Sequence, residues 1–319
     1  MATQPRMPRP AKPISVIGVG QMGAAIARTL GRAGCAVTVW NRTPAKADAL
    51  RAEGIAVAAD LGAAAAASPL VIMCLADTTA VRAVQSDSRF GVAMRGRTLV
   101  QFTNGSTADA EAGLAWAREC GVEYLCGTIL SVPAMLGTRD ATVLYFGAHE
   151  TFAKHAESLE ALSSVELAGP DHGQIGTLTA SLECFAITAL VGFLQGAALI
   201  QASGLDLRQY LQASLACWPT IRSALSATPD MVTNRNYVGR QASIDVLLSS
   251  ARLMLESCAR AGIRLELVQA VLKYFELAAH RFAADLEFQA AVEVIRTPDS
   301  ASPAEEHAAT SVLRCNQKP

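Results

Sequence analysis

Near the start of the chain, Ile14-Ser15-Val16-Ile17 runs straight into Gly18-Val19-Gly20-Gln21-Met22-Gly23. A β-branched strand that opens into GxGxxG and then a helical pattern leaves few folds available. Gly18 permits the tight turn, Gly20 lets the backbone approach a pyrophosphate, and Gly23 allows the following helix to pack closely on the strand. The helix N-terminus at Gln21 and Met22 then offers free N–H groups and partial positive charge to phosphates. Three spaced glycines alone are a weak signal. The strand before them and the helix after them make it a specific one.

The rest of the first half repeats the same alternation. Short apolar runs at Ile14–Ile17, Ala36–Trp40, Leu70–Leu75, Thr98–Phe102, Val122–Leu125, Thr142–Phe146 and Val165–Ala168 are separated by helical patterns starting near Gln21, Pro44, Asp60, Thr107 and Glu150. That predicts a doubly wound parallel sheet of Rossmann type over residues 13–170. Beyond Gly173 the strands stop. A long helical pattern runs from Gln174 to Ser203 and ends at Gly204, and further helical segments follow at Asp206–Cys217, Ser243–Ala261 and Leu265–Ala284. Residues 171–296 therefore read as an all-α domain led by a long interdomain helix. The termini, 1–12 and 297–319, are polar and proline-containing and read as flexible. With 51% hydrophobic and 17% charged residues, the chain has ample material for two cores.

The end of the second strand reads out the cofactor. An NAD-binding chain places Asp or Glu there for the ribose 2′-OH. This chain has Trp40-Asn41-Arg42-Thr43-Pro44-Ala45-Lys46, with no carboxylate. Arg42, through its planar donor fork, and Lys46 suit a 2′-phosphate, which points to NADPH. Thr43 adds a hydroxyl and is positioned to N-cap the helix starting at Pro44. Asn41 lies in the same loop, and Leu75 and Ala76, at the carboxyl edge of the third apolar run, complete the expected cofactor set together with Asn104.

Composition closes several other routes. A net charge of -1 argues against nucleic acid or an anionic membrane surface as partner. The eight cysteines form no CxxC pair and sit mostly in apolar runs, as reduced thiols of a cytoplasmic protein do. No histidine falls in a metal-ligand spacing, so no metal is expected. No secretory signal is legible in the first dozen residues. The uncharged stretch Cys184–Ile200 falls short of the roughly 20 residues of a membrane span. Its apolar character on every side is that of a helix buried in an interface.

Several segments together resemble β-hydroxyacid dehydrogenases and, more specifically, the imine reductases related to them. GVGQMGAAIA with VWNRTPAKA is similar to the start of both groups. Gln101-Phe102-Thr103-Asn104-Gly105-Ser106-Thr107 resembles the loop beside the nicotinamide and substrate. Gly127 to Gly137, containing Ser131-Val132-Pro133, is similar to the imine reductase form, where Val-Pro replaces the Pro-Val-Ser-Gly-Gly type of the hydroxyacid enzymes. Phe288 to Arg296 resembles the terminal imine reductase helix. The resemblance spans Pro13 to Arg296. It implies a domain-swapped homodimer with 6-phosphogluconate dehydrogenase-like C-terminal domains, and a site between Rossmann and helical domains. The implied activity is NADPH-dependent reduction of an imine or iminium. It further implies that Ser131, Val132, Pro133, Tyr210, Trp218 and Asp245 contact substrate.

One departure bears on chemistry. The hydroxyacid enzymes carry a lysine near the start of the interdomain helix, whereas Gly173-Gln174-Ile175-Gly176-Thr177-Leu178-Thr179-Ala180-Ser181-Leu182-Glu183 has none. Without that acid/base, alcohol oxidation loses ~10²–10⁴ in rate, which disfavours a hydroxyacid or semialdehyde reaction. Imine reductases usually place Asp or Tyr on this helix, and the resemblance puts Thr179 at that position. A threonine hydroxyl is a poor acid. Three readings follow: Thr179 orients a water or substrate while a preformed iminium accepts hydride; Glu183, at i+4 on the same face, or Asp245 donates the proton; or the chain binds NADPH without catalysis. Asn104 follows a strand at the carboxyl edge, where such sheets bind ligands, and joins Thr179 and Glu183 as a candidate catalytic residue.

Overall fold

Eight strands form one sheet in the order β3-β2-β1-β4-β5-β6-β7-β8. They are β1 Pro13–Ile17, β2 Ala36–Trp40, β3 Ala56–Val57, β4 Leu70–Met73, β5 Thr98–Gln101, β6 Glu123–Ile129, β7 Thr142–Gly147 and β8 Ser164–Gly169. The computed structural model describes residues 12–239 and 241–296, so nearly all of the two terminal segments expected to be flexible lies outside the described residues. Every pairing is parallel except β6 with β7. That antiparallel pair departs from a uniformly parallel sheet because β6 and β7 are joined by a loop carrying only the 3₁₀ turn Pro133–Met135, with no crossover helix to bring the chain back parallel. Gly127 lets the two strands approach: a Cβ there would lie 2.6 Å from the Phe102 ring and 2.9 Å from the Leu144 carbonyl.

Side chains alternate faithfully along the strands. Ile14, Val16, Leu70, Ile72, Val100 and Leu125 enter one core layer, and Ile17, Val71, Met73, Leu99, Tyr124 and Cys126 enter the other. Period-2 alternation with both faces apolar is what a sheet covered on two sides requires. The covering helices are α1 Gln21–Arg32, α2 Pro44–Arg51, α3 Leu61–Ala66, α4 Thr78–Gln85, α5 Ser88–Met94, α6 Thr107–Cys120 and α7 His149–Leu159. Strand β3 and helices α4 and α5 are not evident from hydrophobic periodicity, being two, eight and seven residues long.

The chain divides into two compact units, 1–184 and 185–319. The boundary falls inside α8, Gln174–Ala202, whose first turns bury Ile175, Gly176 and Thr179 in the first unit. Gly176 admits this closeness, since a Cβ there would stand 2.4 Å from the Thr107 nitrogen. The second unit contains the rest of α8 with α9 Leu207–Ala216, α10 Trp218–Asn234, α11 Ile244–Arg260, α12 Glu266–Arg281 and the short α13 Val292–Ile295. Helix α10 departs from the sequence reading, which has a connection there. Its Trp218-Pro219 start puts proline in the first turn, where it is tolerated, and Pro229 lies within the helix. The described core of this unit is small, built on Tyr237, Ile244, Ala278, Leu286, Ala290 and Ala291. By length and composition, α8 is the one helix among the described residues able to cross a membrane.

Candidate active site

The sheet's order reverses between β1 and β4, which opens a crevice at their carboxyl ends. A cavity of about 730 Å³ lies there, lined by Gly18, Gly20, Gln21, Met22 and Gly23 from the glycine turn, Asn41, Arg42, Thr43 and Lys46 from the β2–α2 loop, and Cys74, Leu75 and Ala76 after β4. Eleven of the twelve cofactor residues read from sequence thus share one cavity; Asn104 lines a separate one.

The glycines divide the work as their spacing implies. Gly18 has φ +89°, and a Cβ there would lie 2.3 Å from the Cys74 carbonyl; a Cβ on Gly23 would stand 1.9 Å from the Gly18 carbonyl. Both are demanded by the fold. A Cβ on Gly20 would meet nothing within 4 Å, so no neighbour inside the protein requires glycine there. A backbone open on its outer side at a helix N-terminus is the cradle a pyrophosphate occupies, and the residues present fit a dinucleotide.

Asn41 works indirectly. Its Oδ1 accepts the Val19 N–H at 3.0 Å, and its Nδ2 donates to the Thr43 carbonyl at 3.0 Å, tying the glycine turn to the β2–α2 loop. Thr43 occupies the N-cap position of α2 but makes no side-chain capping bond, contrary to the expectation from sequence. With Pro44 at the next position there is one fewer N–H to cap, and the hydroxyl stays exposed at the cavity. Arg42 and Lys46 are exposed and, among the described residues, form no ion pair.

The cofactor set read from sequence does not include Asp60, Asp87 and Arg89, which line the same cavity. Both aspartates are occupied: Asp60 caps α3 through the Ala63 N–H at 2.8 Å, and Asp87 caps α5 and meets Arg89 at 2.8 Å. The Arg89 guanidinium beside Asp87 holds its carboxyl below the ordinary range. Asp followed by a short helical run is an N-cap signature, and that signal would have located α4 at Asp77 and α5 at Asp87. Cys74 is no nucleophile, because burial pushes its thiol up to about 11.

The β5–α6 loop carries the second cluster. Thr103 Oγ1 accepts the Leu75 N–H at 2.9 Å, which joins this loop to the cofactor cavity. Next to it, Asn104 Nδ2 donates to Glu183 Oε1 at 2.8 Å. Thr179, one turn earlier on α8, is buried, makes no hydrogen bond through its hydroxyl among the described residues, and lines a cavity of about 20 Å³ with Gln101, Thr103, Asn104, Tyr124 and Cys126. That volume suits one water. Burial raises the Cys126 thiol to about 12 and the Tyr124 phenol well above its usual value. Neither ionises near neutrality.

Ser131 Oγ accepts the Thr142 N–H at 2.9 Å, Val132 is exposed, and Pro133 opens a 3₁₀ turn; none lines either cavity. In the second unit, Tyr210 stacks on Phe193 at 4.9 Å and donates to its carbonyl at 3.2 Å. Trp218 is half exposed, and Asp245 sits exposed in the first turn of α11.

Residues 13–170 match the family model of the NAD binding domain of 6-phosphogluconate dehydrogenase, and residues 178–297 match the NADPH-dependent reductive aminase-like C-terminal domain. An NADPH-dependent reductive aminase of Aspergillus oryzae is 32% identical over 196 residues, 61% of this chain and 65% of that relative, just under two thirds of its length. An imine reductase from Pseudomonas sp. superposes with a TM-score of 0.85 at 27% identity, over 90% of this chain and 100% of that one. A reductive aminase from Aspergillus terreus, in complex with NADPH and ethyl levulinate, gives 0.83 at 26% identity over the same shares. Fold, cavity and matched relatives together define the class, a dinucleotide-dependent oxidoreductase. Within that class the chain belongs to the imine reductase and reductive aminase family, of β-hydroxyacid dehydrogenase type.

Proposed function

We propose that this protein reduces the C=N bond of an imine or iminium to an amine, with NADPH as reductant. The observation that carries this reading is the Asn104–Glu183 pair, one residue along from Thr103, whose hydroxyl accepts the Leu75 N–H at the wall of the cavity fitted to a dinucleotide. Arg42 and Lys46 hold the 2′-phosphate, Gly20, Gln21 and Met22 receive the pyrophosphate, and Leu75 and Ala76 line the nicotinamide side. When bound, the reduced nicotinamide supplies the hydride. Asn104 and Glu183 orient the substrate's nitrogen, and Thr179 holds a water or the substrate beneath them. Ser131, Val132, Pro133, Tyr210, Trp218 and Asp245 are assigned to the wider substrate pocket by resemblance. No lysine in residues 173–183 is present to take a hydroxyl proton, so alcohol oxidation is disfavoured.

The chain acts as a homodimer in this reading. Phe185, Ile187, Leu190, Val191 and Leu194 of α8 are all more than 40% exposed in the single chain. Such a stretch on one helix marks an association surface. NADPH oxidation measured with a panel of cyclic imines, iminium ions, aldehydes and ketones tests the activity. Turnover confined to C=N compounds is the expected result. Turnover of aldehydes alone would move the protein to carbonyl reduction, and none despite normal NADPH binding would leave a cofactor-binding protein without this chemistry.

A further inference from the structure

Helix α4 stands between two cavities. Its Ala80, Ala83 and Val84 line the one fitted to a dinucleotide, whereas Asn104, Ser106, Asp109 and Thr179 line the smaller one. Thr78 and Arg82 are four residues apart and so share the opposite face of α4. That face meets the β5–α6 loop. A Cβ on Gly105 would lie 2.9 Å from Thr78 Cγ2, and Arg82 Nη1 donates to Asp109 Oδ1 at 2.7 Å.

Asp109 passes this contact back along the loop. Its Oδ2 accepts the Ser106 N–H at 3.0 Å and the Ser106 hydroxyl at 2.7 Å. Those bonds from Ser106, with the Arg82 cation beside them, hold the Asp109 carboxyl below the ordinary range, so the pair is charged at neutral pH. At the other end of the loop, Thr103 Oγ1 accepts the Leu75 N–H at 2.9 Å, and the chain runs from Leu75 through the Asp77 cap into α4. Asn104 and Gly105 are thus suspended between two anchors, both made to the segment from Leu75 to Arg82. An ion pair with side chains 59% and 26% exposed adds little to stability. Its consequence is geometric.

We propose that Arg82 and Asp109 are positioning residues that lock the Asn104 loop to the helix walling the dinucleotide cavity, so that cofactor binding orders the loop. A dinucleotide packed against Ala80, Ala83 and Val84 restrains α4, and Arg82 carries the restraint through Asp109 to Ser106. Neither residue lines the dinucleotide cavity wall on α4, so any effect on turnover passes through Asn104. That last step rests on the reading of Asn104 given above; the link between helix and loop does not.

Arg82→Gln removes the link and leaves the Ser106–Asp109 capping box in place. Hydrogen exchange on the full-length protein, with and without NADP⁺, compares the amides of residues 104–106 with those of residues 18–24. In the wild type, NADP⁺ is expected to slow exchange in both segments. In Arg82→Gln the slowing at 18–24 persists, while that at 104–106 falls by about threefold or more as local opening becomes easier. Tm and NADP⁺ affinity stay unchanged, and Arg82→Lys, which keeps the cation, restores most of the slowing. Steady-state kinetics with NADPH and 3,4-dihydroisoquinoline form the second arm. There kcat falls about tenfold in Arg82→Gln, inside the ~10² that a misplacement of the order of an ångström costs, with KM for NADPH unchanged. Arg82→Gln combined with Asp109→Asn loses no more than the worse single variant, because both cut one link. Equal slowing at 104–106 in wild type and Arg82→Gln overturns the proposal, as does a wild-type loop indifferent to NADP⁺ or additive losses in the double variant. If no C=N compound is reduced, the proposed activity fails, and the exchange arm still decides whether the link exists.

Discussion

The Asn41 carboxamide accepts the Val19 N–H at 3.0 Å, so the loop that would read the 2′-phosphate and the turn that would receive the pyrophosphate are fastened by one side chain. The consequence is a difference between neighbours. Arg42→Ala should weaken NADPH by roughly 1.5–3 kcal/mol, the scale of a hydrogen bond to a charged group, and leave NADH nearly unchanged. Asn41→Ala should weaken both cofactors alike, by about 0.5–1.5 kcal/mol, because it loosens a shared scaffold. Fluorescence titration of both variants with both cofactors checks this. Equal losses for NADPH and NADH in Arg42→Ala would show that the 2′-phosphate is read elsewhere.

The glycine turn yields a second dissociation of effects. Gly23→Ala drives a methyl into the Gly18 carbonyl, 1.9 Å away, and should lower stability by about 1–3 kcal/mol, the usual range for overpacking. Gly20→Ala meets nothing within 4 Å and should leave Tm almost unchanged while weakening the dinucleotide. Thermal unfolding with and without NADP⁺ separates the two. A stable Gly20→Ala protein with undiminished cofactor affinity would mean that the pyrophosphate does not approach there.

What the sequence disclosed, and what it hid, divides along physical lines. Long periodic segments were legible: the strands around Gly18 and the 29-residue α8 announce themselves by period and length. Strand β3 and helices α4 and α5 were not, because two, eight and seven residues without a marked apolar stripe do not complete a pattern. Their Asp77 and Asp87 caps were the available signal. The turn into α10 was obscured by prolines at 219 and 229, which propensity counts against a helix. At the site, residue types near the glycine motif could be assigned because chemistry and spacing coincide there. The pairing of Asn104 with Glu183 joins residues 79 apart. Period and spacing put Glu183 on the face of Thr179, but nothing local to either residue forecasts the bond between them.

Association offers a third test. Leu190 and Leu194 lie one helical turn apart on α8 and are 65% and 64% exposed in the single chain. A self-associating protein should run as a dimer in light scattering at micromolar concentration, and Leu190→Glu with Leu194→Glu should shift it toward monomer. Each buried leucine lost from an interface removes on the order of 1.5–3 kcal/mol, and an introduced carboxylate adds a desolvation cost. A wild-type protein that is monomeric at that concentration would remove the dimer from the account.

Thr179 supplies the last test, since the residue is buried, its hydroxyl is without a hydrogen-bond partner among the described residues, and it lines a cavity of about 20 Å³. A lone hydroxyl beside a space of that size is suited to fixing one water. It is unsuited to donating a proton directly at neutral pH. Thr179→Val keeps the shape and removes the hydroxyl, so any loss reports the polar role alone. With an N-alkylated iminium, which requires no proton, the variant should lose at most about tenfold in kcat, or ~1.4 kcal/mol. With a neutral cyclic imine the nitrogen must gain a proton, and the loss should be larger, approaching the ~10² lower bound of general acid catalysis. Single-turnover hydride transfer on the two substrates makes the comparison without interference from product release. Equal losses on both would place the hydroxyl in substrate positioning rather than proton delivery. No loss on either would make Thr179 a packing residue at a site whose chemistry is carried by the orientation of an already charged C=N bond.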